Sequence, residues 1–219
     1  MDKKFEAYLF DLNGTIIDDM QFHAKAWFEI LTKDLGAGIT YDQTVLQMYG
    51  KNQELLERVF GEGYFTQQQI DDLSIEKEKR YQAAFKPHLK LIDGLGVFLE
   101  KAYHEGIKMA IGSAAIPFNI DFVLDNLNLR KYFPVVVSAD DVMLSKPHPE
   151  TFTKGADILG VEYSKCLVFE DAPKGVEAAK NAGMQAVALT TLHTPGDFAV
   201  KDNVIGFVKN YDGLDLFRI

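Results

Sequence analysis

Five positions carry side chains that do chemistry when they are brought together: Asp11, Ser113, Lys146, Glu170 and Asp171. Taken singly each has a plain reading. Asp11 would cap a turn, Ser113, Glu170 and Asp171 would open helices, and Lys146 would be a solvated loop lysine. Taken together they suggest more. Three carboxylates in one crevice repel unless a cation sits among them, and hard oxygen donors of this kind suit Mg²⁺. A hydroxyl and a lysine beside such an ion make a seat for a phosphoryl group.

The elements that must position them follow from the apolar runs. "AYLF" (7–10), "KMAIG" (108–112), "VVVS" (135–138), "CLVFE" (166–170), "QAVAL" (185–189) and "VIGFV" (204–208) are apolar on consecutive positions. That pattern belongs to strands covered on both faces, as in a parallel sheet. Helix-length segments lie between them, at 95–105, 119–126, 151–159 and 175–181. The expected fold is α/β, a doubly wound parallel sheet of Rossmann-like type. In such sheets ligands bind beyond the carboxyl ends of the strands. Asp11, Ser113 and the Glu170–Asp171 pair fall at the ends of the first, second and fourth runs, and Lys146 follows the third.

Residues 18–90 break the alternation. They carry almost no strand signal and read as helices at 22–33, 41–49, 53–59 and 67–85, too long for an ordinary crossover. A helical-bundle cap domain over 18–89, inserted into a core of 1–17 and 90–219, is the expected organisation.

Bulk properties narrow the partners. The formal net charge of −9 argues against nucleic acid and membrane surfaces as partners, since both select a basic face. The single Cys166 lies in an apolar run and reads as a buried structural thiol. The N-terminal apolar stretch is interrupted by Glu6 and is too short for a signal peptide. A monomeric, cytoplasmic protein acting on a small phosphorylated metabolite is the expectation.

The segments "DLNGT" (11–15), "IGSAA" (111–115), "SKPHPE" (145–150) and "FEDAPKGVEAAKNAG" (169–183) resemble, in order and spacing, the four motifs of the haloacid dehalogenase superfamily. A helical cap after the first motif is similar to the β-phosphoglucomutase-like branch. The resemblance implies an aspartyl-phosphate on Asp11 and Mg²⁺ held by Asp11, Asp171 and the Asn13 carbonyl, with Glu170 orienting the metal shell. It also implies that Ser113, with Ala114 beside it, binds a phosphoryl oxygen, that Lys146 offsets charge, and that the Gly14 turn and Thr15 supply further donors. His23 and Trp27, four residues apart, match cap residues that face the active site in that branch. Gln53 stands where the mutases place a phosphate-binding arginine, with Lys51 nearby.

The departure is Asn13. The phosphatases and mutases of the superfamily carry an aspartate there that acts as general acid and base, which asparagine cannot do near neutral pH. Three readings stay open: a slow or adapted enzyme, a deliberate replacement that traps a complex, or a silent binder of phosphorylated metabolites. The apolar "AAIP" (114–117) after Ser113 and Gln53 in the cap also depart from the mutase pattern. They favour a phosphate-monoester hydrolase over a bisphosphate-dependent mutase. The dehalogenases also lack the second aspartate, but the acidic pair of "FEDAPKG" belongs with metal-dependent relatives. Phosphonoacetaldehyde hydrolases use a cap lysine where this sequence has Gln53.

Overall fold

A computed structural model describes residues 4–215. The strands are β1 (Ala7–Phe10), β2 (Lys108–Gly112), β3 (Val135–Val137), β4 (Cys166–Glu170), β5 (Gln185–Leu189) and β6 (Val204–Val208). They form one parallel sheet in the order β3-β2-β1-β4-β5-β6. The helices are α1 (Met20–Glu29), α2 (Tyr41–Val45), α3 (Asn52–Phe60), α4 (Gln67–Phe85), α5 (Leu95–His104), α6 (Pro117–Asn126), α7 (Glu150–Leu159) and α8 (Pro173–Asn181). The chain separates into two compact units, Met1–Asp18 with Lys90–Ile219, and Asp19–Leu89.

In the α/β unit every residue of β1 and β4 is buried, as their unbroken apolar runs require. Alternate side chains point to opposite faces of the sheet. On one face Ala7, Leu9, Ala110, Val137 and Val168 pack with Phe152 and Ala156 of α7 and Val176 of α8. The other face is aromatic. Tyr8 stacks on Phe98 of α5 at 5.7 Å between ring centroids, and Phe10 stacks on Phe169 at 4.5 Å. Burying each such ring contributes about 1.5–3 kcal/mol, so the centre of the sheet is rigid where β1 and β4 lie side by side.

The helical unit has its own core of Trp27, Ile30, Leu31, Leu55, Leu56 and Ile70. Two of its helices differ from the expected spans. The first gives way at Ile30–Asp34 to a wider turn, closed by the Leu35 N–H on the Ile30 carbonyl at 3.0 Å. The second stops at Val45 instead of running to Tyr49. Arg58 of α3 takes the Gln47 and Tyr49 carbonyls at 2.7 and 2.8 Å, and its guanidinium lies 3.8 Å from the centre of the Tyr49 ring. After Val45 the Gln47 and Met48 N–H groups reach only three residues back, to the Thr44 and Val45 carbonyls at 2.9 and 3.1 Å, so the helical pairing is not continued.

Candidate active site

The strand order changes direction at β1. From there the chain goes outward through β2 to β3, then returns to β4 on the other side, which places a ligand crevice beyond the carboxyl ends of β1 and β4. Asp11 is the first residue past β1, and its N–H donates to the Phe169 carbonyl at 2.9 Å. Glu170 ends β4 and Asp171 follows it. Ser113 follows β2. Lys146, from the loop between β3 and α7, donates to Asp11 Oδ1 at 2.6 Å, Glu170 Oε1 at 2.8 Å and the Gly112 carbonyl at 3.0 Å. Its ammonium also sits 4.7 Å from the Phe152 ring centre. Three strand ends are thus tied through one cation.

The charge balance is strained. Burial is the largest influence on Asp11, and with the neighbouring Glu170 it outweighs the Lys146 ammonium, so the Asp11 carboxyl is pushed up to about 7. Burial, then Glu170 and Asp11, raise Asp171 well above the ordinary carboxylate range. For Lys146, burial opposes the charge, but Asp11 and Glu170 prevail and hold it above the usual lysine value. One ammonium shared by two carboxylates does not neutralise three.

The turn after β1 brings Asp171 close. Gly14 has φ +77°, and a Cβ there would collide with the Asp171 carboxylate, so the turn and the acid fit only with glycine. Thr15 is fully buried and its hydroxyl faces Asp171 Oδ1 at 3.4 Å. The turn at Gly14 is expected to bring backbone N–H groups towards a phosphoryl oxygen, but the N–H of Gly14 itself is taken. That N–H donates to the Ile17 carbonyl at 2.7 Å, and the Thr15 and Ile16 N–H groups turn back to Leu12. The N–H groups of Gly14, Thr15 and Ile16 are thus spent within the turn. Ser113 donates its N–H to the Val137 carbonyl at 2.9 Å and accepts the Ala115 N–H on Oγ at 3.2 Å, which leaves its O–H to donate. Ala114, beside it, is half-buried.

The donor set suits Mg²⁺. Glu170 is engaged by Lys146 and by the Ala172 N–H at 2.8 Å, and a Cβ at Gly175 would strike its carboxylate. Among the described residues no three His, Cys, Asp or Glu side chains form a closed metal cage. What remains is the Asp11 and Asp171 carboxylates with the carbonyl of Asn13 between them in sequence. Mg²⁺ takes few protein carboxylates and fills its shell with water and phosphate oxygens. A divalent cation would also relieve the surplus negative charge.

Comparison with known proteins decides the family. The profile of the haloacid dehalogenase-like hydrolases matches residues 8–189. The chain belongs to the haloacid dehalogenase-like hydrolase family. It is 34% identical over 194 residues to the fructose-1-phosphate phosphatase of Escherichia coli, covering 88% of this chain and 100% of that one. It is 30% identical over 192 residues to the β-phosphoglucomutase of Bacillus subtilis, covering 84% and 83%. The solved HAD hydrolase of Entamoeba histolytica matches it with a TM-score of 0.86 at 24% identity, covering 98% and 100%, a likeness of fold.

In this hydrolase-family chain the expected cap residues fall within the helical unit. Trp27 is buried in that unit's apolar core, so its position is accounted for by packing. Gln53 spends its amide on Glu57 at 2.8 Å on the exposed side of α3, and Lys51 precedes that helix with its N–H on Glu54 Oε2 at 3.1 Å. His23 belongs to a buried polar network. Its Nδ1 accepts from Lys77 Nζ at 3.1 Å and its Nε2 donates to Asp19 Oδ2 at 3.2 Å, an assignment fixed by the lysine having only hydrogens to give. Tyr81 stacks on the His23 ring at 3.7 Å and donates to the same Asp19 oxygen, while Lys77 pairs with Glu78. Sequence reasoning missed Asp19, Lys77, Glu78 and Tyr81. The available signal was the four-residue spacing of Asp19 with His23 and of Lys77 with Tyr81.

Proposed function

We propose that this family member is a Mg²⁺-dependent phosphatase of small phosphate monoesters such as sugar phosphates, acting through a phosphoryl-aspartate on Asp11. The observation that carries the reading is the Lys146 ammonium between Asp11 and Glu170 at the sheet's switch point, with Asp171 beside them. The likeness to a fructose-1-phosphate phosphatase supports the substrate class.

Asp11 attacks phosphorus, a new O–P bond forms, and the bond to the ester oxygen breaks, that oxygen taking its proton from solvent water. Water then cleaves the phosphoryl-aspartate, giving inorganic phosphate and the free carboxylate. Lys146 lowers the repulsion between Asp11 and the incoming phosphoryl oxygens. Ser113 donates its O–H to one of those oxygens, with Ala114 next to it in the same loop. Thr15 orients Asp171. Asp11, Asp171 and the Asn13 carbonyl would hold Mg²⁺, with Glu170 fixing Lys146, and the ion would supply charge neutralisation at the phosphoryl group. Asn13 neither protonates the leaving oxygen nor activates water, so turnover is slow.

A mutase cycle is disfavoured, because a second phosphate would meet the apolar Ala115, Ile116 and Pro117 after Ser113. The test is phosphate release from a panel of sugar phosphates, with Mg²⁺ and after chelation, for the native chain and Asn13→Asp. The expected result is metal-dependent release that rises about 10²–10⁴-fold in the variant. Release undiminished by chelation sinks the metal role. No release by either protein sinks the phosphatase reading and leaves a silent binder.

A further inference from the structure

We infer that Thr191 is a positioning residue, whose hydroxyl holds the first turn against Asp171 and thereby makes the metal site select Mg²⁺ over Ca²⁺. This rests on the metal site of the phosphatase reading above. Thr191 donates its O–H to the Gly14 carbonyl at 2.7 Å, across 177 residues of chain. Gly14 is the residue whose backbone lies against the Asp171 carboxylate, so closely that no Cβ fits between them. The turn spends the Gly14, Thr15 and Ile16 N–H groups on itself and reaches distant chain through its carbonyls. Thr15 takes the Tyr211 O–H at 3.1 Å, Ile16 takes the Ile92 N–H at 3.0 Å, and Gly14 takes Thr191. Of these donors, Thr191 is the one that follows β5, the strand beside β4.

The fold makes that hydroxyl a strut. β5 pairs with β4, Ala188 beside Glu170, so Asp171 and Thr191 leave neighbouring strands at the same end of the sheet. The preceding Thr190 is pinned to β6, its N–H and O–H both donating to the Val208 carbonyl at 2.8 and 3.2 Å. A β-branched threonine has few χ1 rotamers, so the group that reaches Gly14 moves little. Asp171 and the first turn are therefore held to one frame. The turn carries Asp11 and the Asn13 carbonyl, so its distance from Asp171 fixes the spacing of those oxygens. Mg²⁺ demands a near-ideal octahedral shell at short range, whereas the larger Ca²⁺ accepts more oxygens in a flexible one. A turn free to drift from Asp171 loses Mg²⁺ and keeps Ca²⁺. Thr191 acts through Gly14 and not on the ion itself.

The experiment compares the native chain with Thr191→Val, which loses the hydroxyl, and Thr191→Ser, which keeps it. Calorimetric titration of each metal-free protein with Mg²⁺ and with Ca²⁺ gives the affinities. Melting without metal gives the stability, and phosphate release from fructose 1-phosphate gives the turnover. Thr191→Val is expected to weaken Mg²⁺ binding about tenfold while Ca²⁺ stays within about twofold of the native value. Thr191→Ser is expected to bring Mg²⁺ back to within about twofold. Equal weakening of both cations, or lost stability with unchanged affinities, means a structural role only. No change at all means that water serves the Gly14 carbonyl, and no rescue by serine means that the methyl group mattered. Each of these results overturns the inference, while Mg²⁺-dependent phosphate release by the native chain still upholds the phosphatase reading. A native chain that binds neither cation removes the metal from that reading and the inference with it. The expected loss of selectivity in a chain that releases no phosphate keeps the inference and removes the phosphatase reading. Should the valine variant fail to fold, Thr191→Ala replaces it, since serine differs from alanine by the hydroxyl alone.

Discussion

At the scale of single residues, Lys146 holds three acceptors in a space where three acids crowd together. Lys146→Met leaves Asp11, Glu170 and Asp171 buried without their ammonium. Removing one partner of a buried ion pair costs about 3–5 kcal/mol, so urea unfolding of the metal-free variant should show a loss of that order. An unchanged midpoint would mean that the clamp does not persist in solution. Cys166 makes a second residue-scale case. Burial, then Glu6, pushes its thiol up to about 11. With the folded value above the unfolded one, the stabilisation is present below about pH 8.5 and is lost as pH rises towards 11. Iodoacetamide at pH 8 should therefore label native protein slowly and urea-unfolded protein fast. Rapid native labelling would show that β4 opens. Much of the candidate site in the α/β unit was legible in the sequence, because Asp11, Glu170 and Asp171 sit at ends of strands that hydrophobic runs reveal and Lys146 lies in the loop after the third. The closure of the first turn was not legible, since which backbone N–H groups turn inward depends on φ at Gly14 and on Asp171, a neighbour far along the chain. The His23 network was hidden for the same reason: its members come from two helices distant in sequence.

At the scale of elements, α4 shows how a polar helix is held. Most of its unburied positions are polar, so propensity and capping matter more than burial. Thr66 accepts the Gln69 N–H at 3.3 Å, and the Gln69 side chain accepts the Thr66 N–H at 2.9 Å, a reciprocal cap. Thr66→Ala should lower stability by about 0.5–2 kcal/mol, with faster amide exchange at the start of α4. Unchanged exchange there would mean that the cap is redundant. Strands were the most readable elements, because a fully covered strand must be apolar throughout, and all six appear at the expected runs. Helix ends were less readable. Nothing local announces the shortened α2, and the loop that follows it is held by Arg58, which sits further along the chain.

At the scale of the whole molecule, a net charge of −9 surrounds a crevice that itself holds too many acids. A divalent cation there should stabilise the fold well beyond any general salt effect. Ligand at a hundred times its dissociation constant adds about 2.7 kcal/mol. Mg²⁺ should therefore raise Tm in a saturable way, and Asp171→Asn should abolish the rise while matched ionic strength from NaCl does not reproduce it. Equal responses of both proteins would remove the ion from the crevice.

The α/β unit closes on itself by long loops through the chain. The Gly14 carbonyl is held by Thr191, the Thr15 carbonyl by Tyr211, and the Tyr211 N–H by Asp93. Vectorial synthesis brings out the Asp11 segment first and its anchors almost two hundred residues later. On the ribosome the turn beside Asp11 thus stays without these anchors until Thr191 and Tyr211 have been made, so it is completed long after its own residues emerge.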